Sequence, residues 1–163
     1  MIKLQIKKVR KDAIMPTQAH SGDMIDVYAA EDVVVNSFES TIIPLGIAMN
    51  IPEGYRVKVF FRSSLPLKKK LIVSNSVEII DTGYKNEIGL IFHSIPYCES
   101  ICVPRTDLDG DVLFNDPIKI KKGDKIAQFQ LEKIEYFELE EADELDVSND
   151  MGTGFGSTNI YNK

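Results

Sequence analysis

With 163 residues, 44% hydrophobic and 27% charged, the chain suits one soluble globular core and leaves little room for a second. A formal net charge of −6 argues against broad nucleic-acid binding, which needs a basic face, and no apolar run approaches the roughly 18–20 residues of a membrane span. An anionic small molecule would need local cations or a metal to overcome the global repulsion.

The chain opens with MIKLQIKKVRKD, whose alternation of apolar and basic residues predicts a strand and no signal peptide. Further short β-rich runs follow at 32–35, 40–49, 55–61, 71–80, 87–92, 100–103, 116–121 and 125–134, separated by Pro, Gly, Asn and Asp. In Tyr55 to Phe61 the residues Tyr55, Val57, Val59 and Phe61 share one face and Arg56 and Lys58 the other, the pattern of a half-buried strand. No apolar stripe keeps helical spacing over three turns; SSLPLKKK (63–70) alone predicts a short helix, with Ser63 or Ser64 as cap and Pro66 in its first turn. The expected fold is all-β, a jelly roll or distorted barrel of many short strands with at most one short helix.

Mid-chain, SNSVEIIDTGYKNE (74–87) lies between apolar Val77, Ile79 and Ile80 and apolar Ile88, Leu90 and Ile91, which predicts a β-hairpin with Asp81, Thr82 and Gly83 at its tip. Residues 94–117 form a long, loop-rich connection. Within it DLDGD (107–111) has turn chemistry; a calcium loop starting at Asp107 would need Glu at position 118, which is Ile118. Cys98 and Cys102 suit no disulfide framework, and with only His20 and His93 to join them a zinc site is not expected; reduced cytoplasmic thiols are. From residue 138 the chain turns acidic and ends in MGTGFGSTNIYNK, a tail with too little apolar content to pack by itself and so expected to be mobile.

Four other pieces suit phosphate or metal chemistry. GDMIDVYAAED (22–32) places Asp23 and Asp26 at a turn entering a strand. FRSSL (61–65) offers a guanidinium and two hydroxyls at a strand end before the predicted helix. KKGDKIAQF (121–129) is a turn opening a strand that carries the amide of Gln128, and GTGFGSTN (152–159) is Gly-rich with one aromatic and two hydroxyls. Each has a plainer reading when taken singly: an Asp in a turn is usually structural, and a Gly-rich tail is usually disordered.

In order, these segments resemble the trimeric deoxyuridine triphosphatase (dUTPase) family. The motifs PTQAHSGDMIDVYAAED (16–32), RSS (62–64), NSxxxIDxGYxxE (75–87), GDKIAQ (123–128) and GxGFGST (152–158) match that family's five in sequence, over nearly the whole chain. The resemblance implies a jelly-roll domain over 1–137 and an acidic linker with a mobile Gly-rich arm over 138–163. It implies a homotrimer whose active sites draw on more than one subunit, and Mg²⁺-dependent cleavage of dUTP to dUMP and pyrophosphate, which limits uracil in DNA. By position, Asp81 would be the general base that activates water at the α-phosphorus. Tyr84 would pack under the deoxyribose and Asn75 would read the uracil edge. Arg62, Ser63, Ser64 and Gln128 would hold the triphosphate, helped by Lys122 and Lys125. Asp26 would act near the metal through water. Phe155 would stack on the base while Gly156, Ser157 and Thr158 close over the γ-phosphate.

Four features depart from the family pattern. No Arg precedes the tail glycines, where Asn149, Asp150 and Met151 stand, and one glycine before Phe155 is absent. Glu78 and Asn86 replace glycines of the third motif; Asn can take up a left-handed backbone in place of Gly, whereas the Glu78 side chain has to find room. Two rivals share the fold. In dCTP deaminase a Glu follows the hairpin, but Ile91 stands there and supplies no proton shuttle. A nucleotide-sensing or regulatory module would use residues 94–117 as its surface for a protein partner.

Overall fold

The computed structural model describes residues 2–94, 105–106, 112–113 and 117–148. In chain order its first strands are β1 (Gln5–Lys8), β2 (Ile25–Tyr28), β3 (Val33–Val35), β4 (Ser40–Pro44), β5 (Ile47–Asn50) and β6 (Tyr55–Phe61). They are followed by β7 (Leu71–Val73), β8 (Glu78–Ile80), β9 (Gly89–Ser94), β10 (Arg105–Thr106), β11 (Val112–Leu113), β12 (Ile118–Ile120) and β13 (Lys125–Lys133). One π-helical turn, Leu65–Lys69, interrupts them. The expectation of an all-β jelly roll holds, with one short helix among the described residues.

The two largest sheets run β2-β13-β6-β8 and β4-β9-β7; β1 pairs with β5, β3 with β12 and β10 with β11. Every pairing is antiparallel. The alternation read in Tyr55 to Phe61 is realised: Val57 and Val59 are buried, while Arg56 and Lys58 both reach Glu132 of β13 at 2.5 Å on the outer face. Val57, Val59, Phe129 and Ile80 from the first sheet join Leu71, Val73, Leu90 and Phe92 from the second in one apolar core. Such a core follows from period-2 patterning, which turns one side of each strand inward.

Two predicted strands are each split, and in both cases the backbone supplies the reason. The run 40–49 breaks at Gly46, whose φ of +68° no ladder accommodates, into β4 and β5. The run 71–80 breaks at Ser76, φ +65°, into β7 and β8. That second break corrects the hairpin. β8 pairs with β6 in one sheet and β9 with β4 and β7 in the other, so Asp81 lies on a crossing between sheets. The connection 94–117 contains a short ladder, β10 with β11, and the DLDGD segment (107–111) lies outside the described residues. The strand expected at 100–103 lies outside the described residues.

The helical turn forms at the predicted place, but without the predicted cap. Ser64 occupies the cap position with helical φ and ψ of −69° and −23° and makes no side-chain cap bond. An N-cap needs extended backbone to aim its hydroxyl at the following amides. Lys70, at φ 56°, ends the turn by donating its backbone N–H to Leu65 O.

Candidate active site

Strand β13 is central to one cluster. Gln128 lies opposite Asp26 of β2 on one side and Phe60 of β6 on the other, and the KKGD turn with Gly123 at φ +85° feeds Lys125 into the same strand. The register brings three distant motifs together. Gln128 Nε2 donates to Asp26 Oδ1 at 2.9 Å, Lys125 Nζ to Asp26 Oδ2 at 2.7 Å, and Arg62 Nε lies 3.8 Å from Asp26 Oδ1. Asp26 is only 7% exposed. Burial works to raise its carboxyl, but Lys125, Gln128 and Arg62 outweigh it and hold the group below the usual carboxylate range. Asp26 is thus an ionised anchor that points a guanidinium, an ammonium and an amide toward one surface. Ser63, exposed, and half-buried Ser64 follow Arg62 directly, with hydroxyls that the helical turn does not use. Lys122 does not join: it pairs with Asp12, and its backbone N–H donates to Asp32 at 2.7 Å.

A second cluster surrounds Asp81. A pocket of about 160 Å³ is lined by β8, Asp81, Tyr84, Ile88 and Gly89. Asp81 is exposed at the end of β8, and its carbonyl accepts the Tyr84 amide at 3.0 Å in a tight turn. Thr82 Oγ1 donates to Tyr55 O at 2.6 Å, which ties the turn to the start of β6. Tyr84 donates its hydroxyl to Glu87 O at 2.9 Å. Glu87 in turn accepts from Arg10 Nε at 2.6 Å and from the Gly46 amide at 3.0 Å. This clamp on the Tyr84 loop escaped the sequence reading, because nothing in the spacing links Arg10 to a residue 77 positions away. Asn75 sits exposed in the turn between β7 and β8, where its carbonyl accepts the Val77 amide at 2.7 Å. Asn86 does not adopt the left-handed backbone expected for a glycine substitute, so its position never required glycine on that ground.

Within one chain these two clusters stay apart. β8 meets only the first half of β6, so Asp81 falls opposite Arg56, whereas Gln128 and Asp26 align with Phe60 and Arg62 lies beyond. The four positions from Arg56 to Phe60 correspond to roughly 13 Å at about 3.3 Å per residue, and β13 lies two strands across the sheet from β8. Phe155, Gly156, Ser157 and Thr158 lie outside the described residues.

Known proteins match both the sequence and the fold. The dUTPase family model aligns with residues 11–98. A deoxyuridine 5'-triphosphate nucleotidohydrolase of Hydrogenobaculum sp. is 36% identical over 161 residues, which is 98% of this chain and 99% of that one. The chain belongs to the dUTPase family. Among solved structures, the Staphylococcus bacteriophage 80alpha dUTPase with dUPNHPP superposes with a TM-score of 0.78 at 29% identity, covering 98% of this chain and 100% of that one. A mutant dUTPase from phage phi11 of S. aureus, described for its coordination of a structural Mg(II) ion, gives 0.69 at 29% identity, with 88% and 98% covered.

Seen as a dUTPase, the chain has donors suited to a hydrated metal ion. Asp26 is the one carboxylate in the Arg62–Gln128 cluster, and each of its oxygens already accepts a hydrogen bond. Mg²⁺ keeps several waters and favours phosphate oxygens, so contact with Asp26 through water fits this donor set. Among the described residues no group of three or more His, Cys, Asp or Glu is arranged to hold a metal by itself.

The two dUTPase departures in the third motif also resolve, while Asn149, Asp150, Met151 and the tail glycines lie outside the described residues. Glu78 finds room inside: it is 8% exposed, on the core-facing register of β8, and Oε1 accepts the Ile91 amide at 2.6 Å. Burial pushes its carboxyl up, against the lowering effect of that amide. Ile91, where a deaminase would carry Glu, is 40% exposed on the outer face opposite Ile42.

Proposed function

We propose that this protein hydrolyses dUTP to dUMP and pyrophosphate, with Asp81 as general base. Water forms a bond to the α-phosphorus, the α-phosphorus–oxygen bond to the β-phosphate breaks, and Asp81 takes the water proton as pyrophosphate leaves. The uracil and deoxyribose occupy the pocket beside Asp81. Tyr84, pinned through Glu87 by Arg10 and Gly46, forms its sugar-side wall and excludes a 2′-hydroxyl. Asn75 and the adjoining backbone read the uracil edge; fixed donors and acceptors there leave cytosine with unpaired partners. Arg62, Ser63, Ser64, Gln128 and Lys125 hold the triphosphate. Mg²⁺, when bound by the phosphates and through water by Asp26, supplies the remaining positive charge for a chain of net charge −6.

The observation that carries this reading is the separation of the base and sugar pocket from the phosphate cluster by roughly 13 Å along β6 and two strands across the sheet. Asp81 would act at the α-phosphorus, directly beside the phosphates that the cluster would hold, and the two lie too far apart for that in one chain. We infer the homotrimer that the family resemblance implies, in which one subunit's Asp81 pocket faces another's Arg62 cluster. The stretch 135–148 supports the same inference. Every residue in it is exposed, and Tyr136, Phe137, Leu139 and Leu145 are 77–91% exposed, apolar surface that a neighbouring subunit would cover. From it the tail, with Phe155, Gly156, Ser157 and Thr158, would close over the bound nucleotide. We place the enzyme in the cytoplasm; no helix among the described residues is long and apolar enough to cross a membrane.

Pyrophosphate release from dUTP with Mg²⁺, compared between wild type and Asp81→Asn, tests the proposal. Loss of about 10² to 10⁴ in kcat is expected for removal of a general base. No release from the wild type would refute the activity, and an unchanged Asp81→Asn rate the base assignment. Phage 80alpha dUTPase, described among phage dUTPases that control transfer of virulence genes, favours a further role for residues 94–117 as a regulatory partner's surface beside catalysis.

A further inference from the structure

Glu78 is a carboxylic acid at a core-facing strand position, and such a residue is retained only where its oxygens are used. The use is visible in the ladder of β9. Val73 pairs with Phe92, and the Ser74 amide then donates to Ile91 O at 2.9 Å. In an antiparallel strand the N–H and C=O of one residue face the same neighbour, so the Ile91 amide also points toward β7. There β7 has already ended, because the chain turns away at Ser76 with φ +65°. Glu78 Oε1 takes that amide at 2.6 Å, from a strand belonging to the other sheet.

We propose that Glu78 is a positioning residue that sets the width of the base pocket by bonding β8 to β9 across the gap between the sheets. The pocket lies in that gap: β8 and Asp81 form one wall, and Ile88 and Gly89, entering β9, form the other. Among the described residues no backbone ladder joins the two walls, since β8 pairs with β6 and β9 with β4 and β7. The Glu78–Ile91 bond therefore does for this wall what a ladder does elsewhere. What matters is the reach of the side chain to the amide, and its charge is secondary. The inference rests on the reading that this pocket receives the uracil of dUTP.

Reach and charge can be separated by two variants that disturb the fold little. Glu78→Gln keeps the length and an acceptor oxygen but loses the charge. Glu78→Asp keeps the charge but is one methylene too short to hold the amide. Steady-state hydrolysis of dUTP and dCTP is measured for both, alongside wild type and Asp81→Asn. Glu78→Gln is expected to keep KM for dUTP within about twofold. Glu78→Asp should raise it about tenfold, the size of one lost hydrogen bond, with kcat little changed and a smaller preference for dUTP over dCTP. A wild-type KM in Glu78→Asp, an equal rise in both variants, or a loss confined to kcat would each overturn the proposal. If Asp81→Asn also turns over normally, the fault lies in the catalytic reading itself; if it is dead while Glu78→Asp behaves as wild type, only the role of Glu78 fails.

Discussion

At the scale of single residues, the site depends on side chains held by partners remote in sequence. Gly46 illustrates the constraint: at φ +68° its amide serves Glu87, and a Cβ there would lie 2.6 Å from Ala13 Cβ. Gly46→Ala should lower stability by about 1–3 kcal/mol in a chemical denaturation series, combining strain and clash. Asp124 gives a pH signature. Burial alone would raise its carboxyl, but Lys69 at 3.0 Å and the Lys121 amide at 3.1 Å outweigh burial and lower it. A lowered folded value means stability that is present above the ordinary carboxylate range and lost as pH falls through the folded value. The gap in Tm between wild type and Asp124→Asn should therefore be widest near neutrality and shrink below about pH 4; a gap independent of pH would show that the ion pair contributes nothing.

At the scale of elements, β13 organises the molecule, since it pairs on both sides and carries both Gln128 and the core residue Phe129, 1% exposed. Phe129→Ala should cost about 3–5 kcal/mol by equilibrium unfolding. Truncation before Asn149 should leave the unfolding midpoint little changed, because it keeps the whole apolar cluster, whose last member in the chain is Leu131, while turnover falls sharply. Strand β6 was legible to the residue, because its alternation is strict and nothing interrupts it. Runs 40–49 and 71–80 were not, because apolar content continues through Gly46 and Ser76 while the backbone turns at each. Asp26, Arg62 and Gln128 were legible as motifs, but their convergence on one carboxylate follows from register, which local spacing does not encode. The inward turn of Glu78 was hidden for a related reason: its partner is an amide orphaned by the end of a different strand.

At the scale of the whole molecule, one chain keeps the Asp81 pocket and the Arg62 cluster apart on one sheet, as the proposed trimer requires. An assembly of about three times the 18.3 kDa chain mass is therefore expected by light scattering, and a monomer at working concentration would be inactive. The central claim is that catalysis joins the Asp81 pocket of one subunit to the Arg62 cluster of another, and complementation tests it most directly. Asp81→Asn and Arg62→Ala chains, each strongly impaired alone, are mixed in equal amounts, unfolded and refolded together. If sites are shared, random assembly pairs an intact pocket with an intact cluster in about a quarter of them, and about a quarter of wild-type dUTP hydrolysis returns. Mixed assemblies that regain no activity would contradict the account.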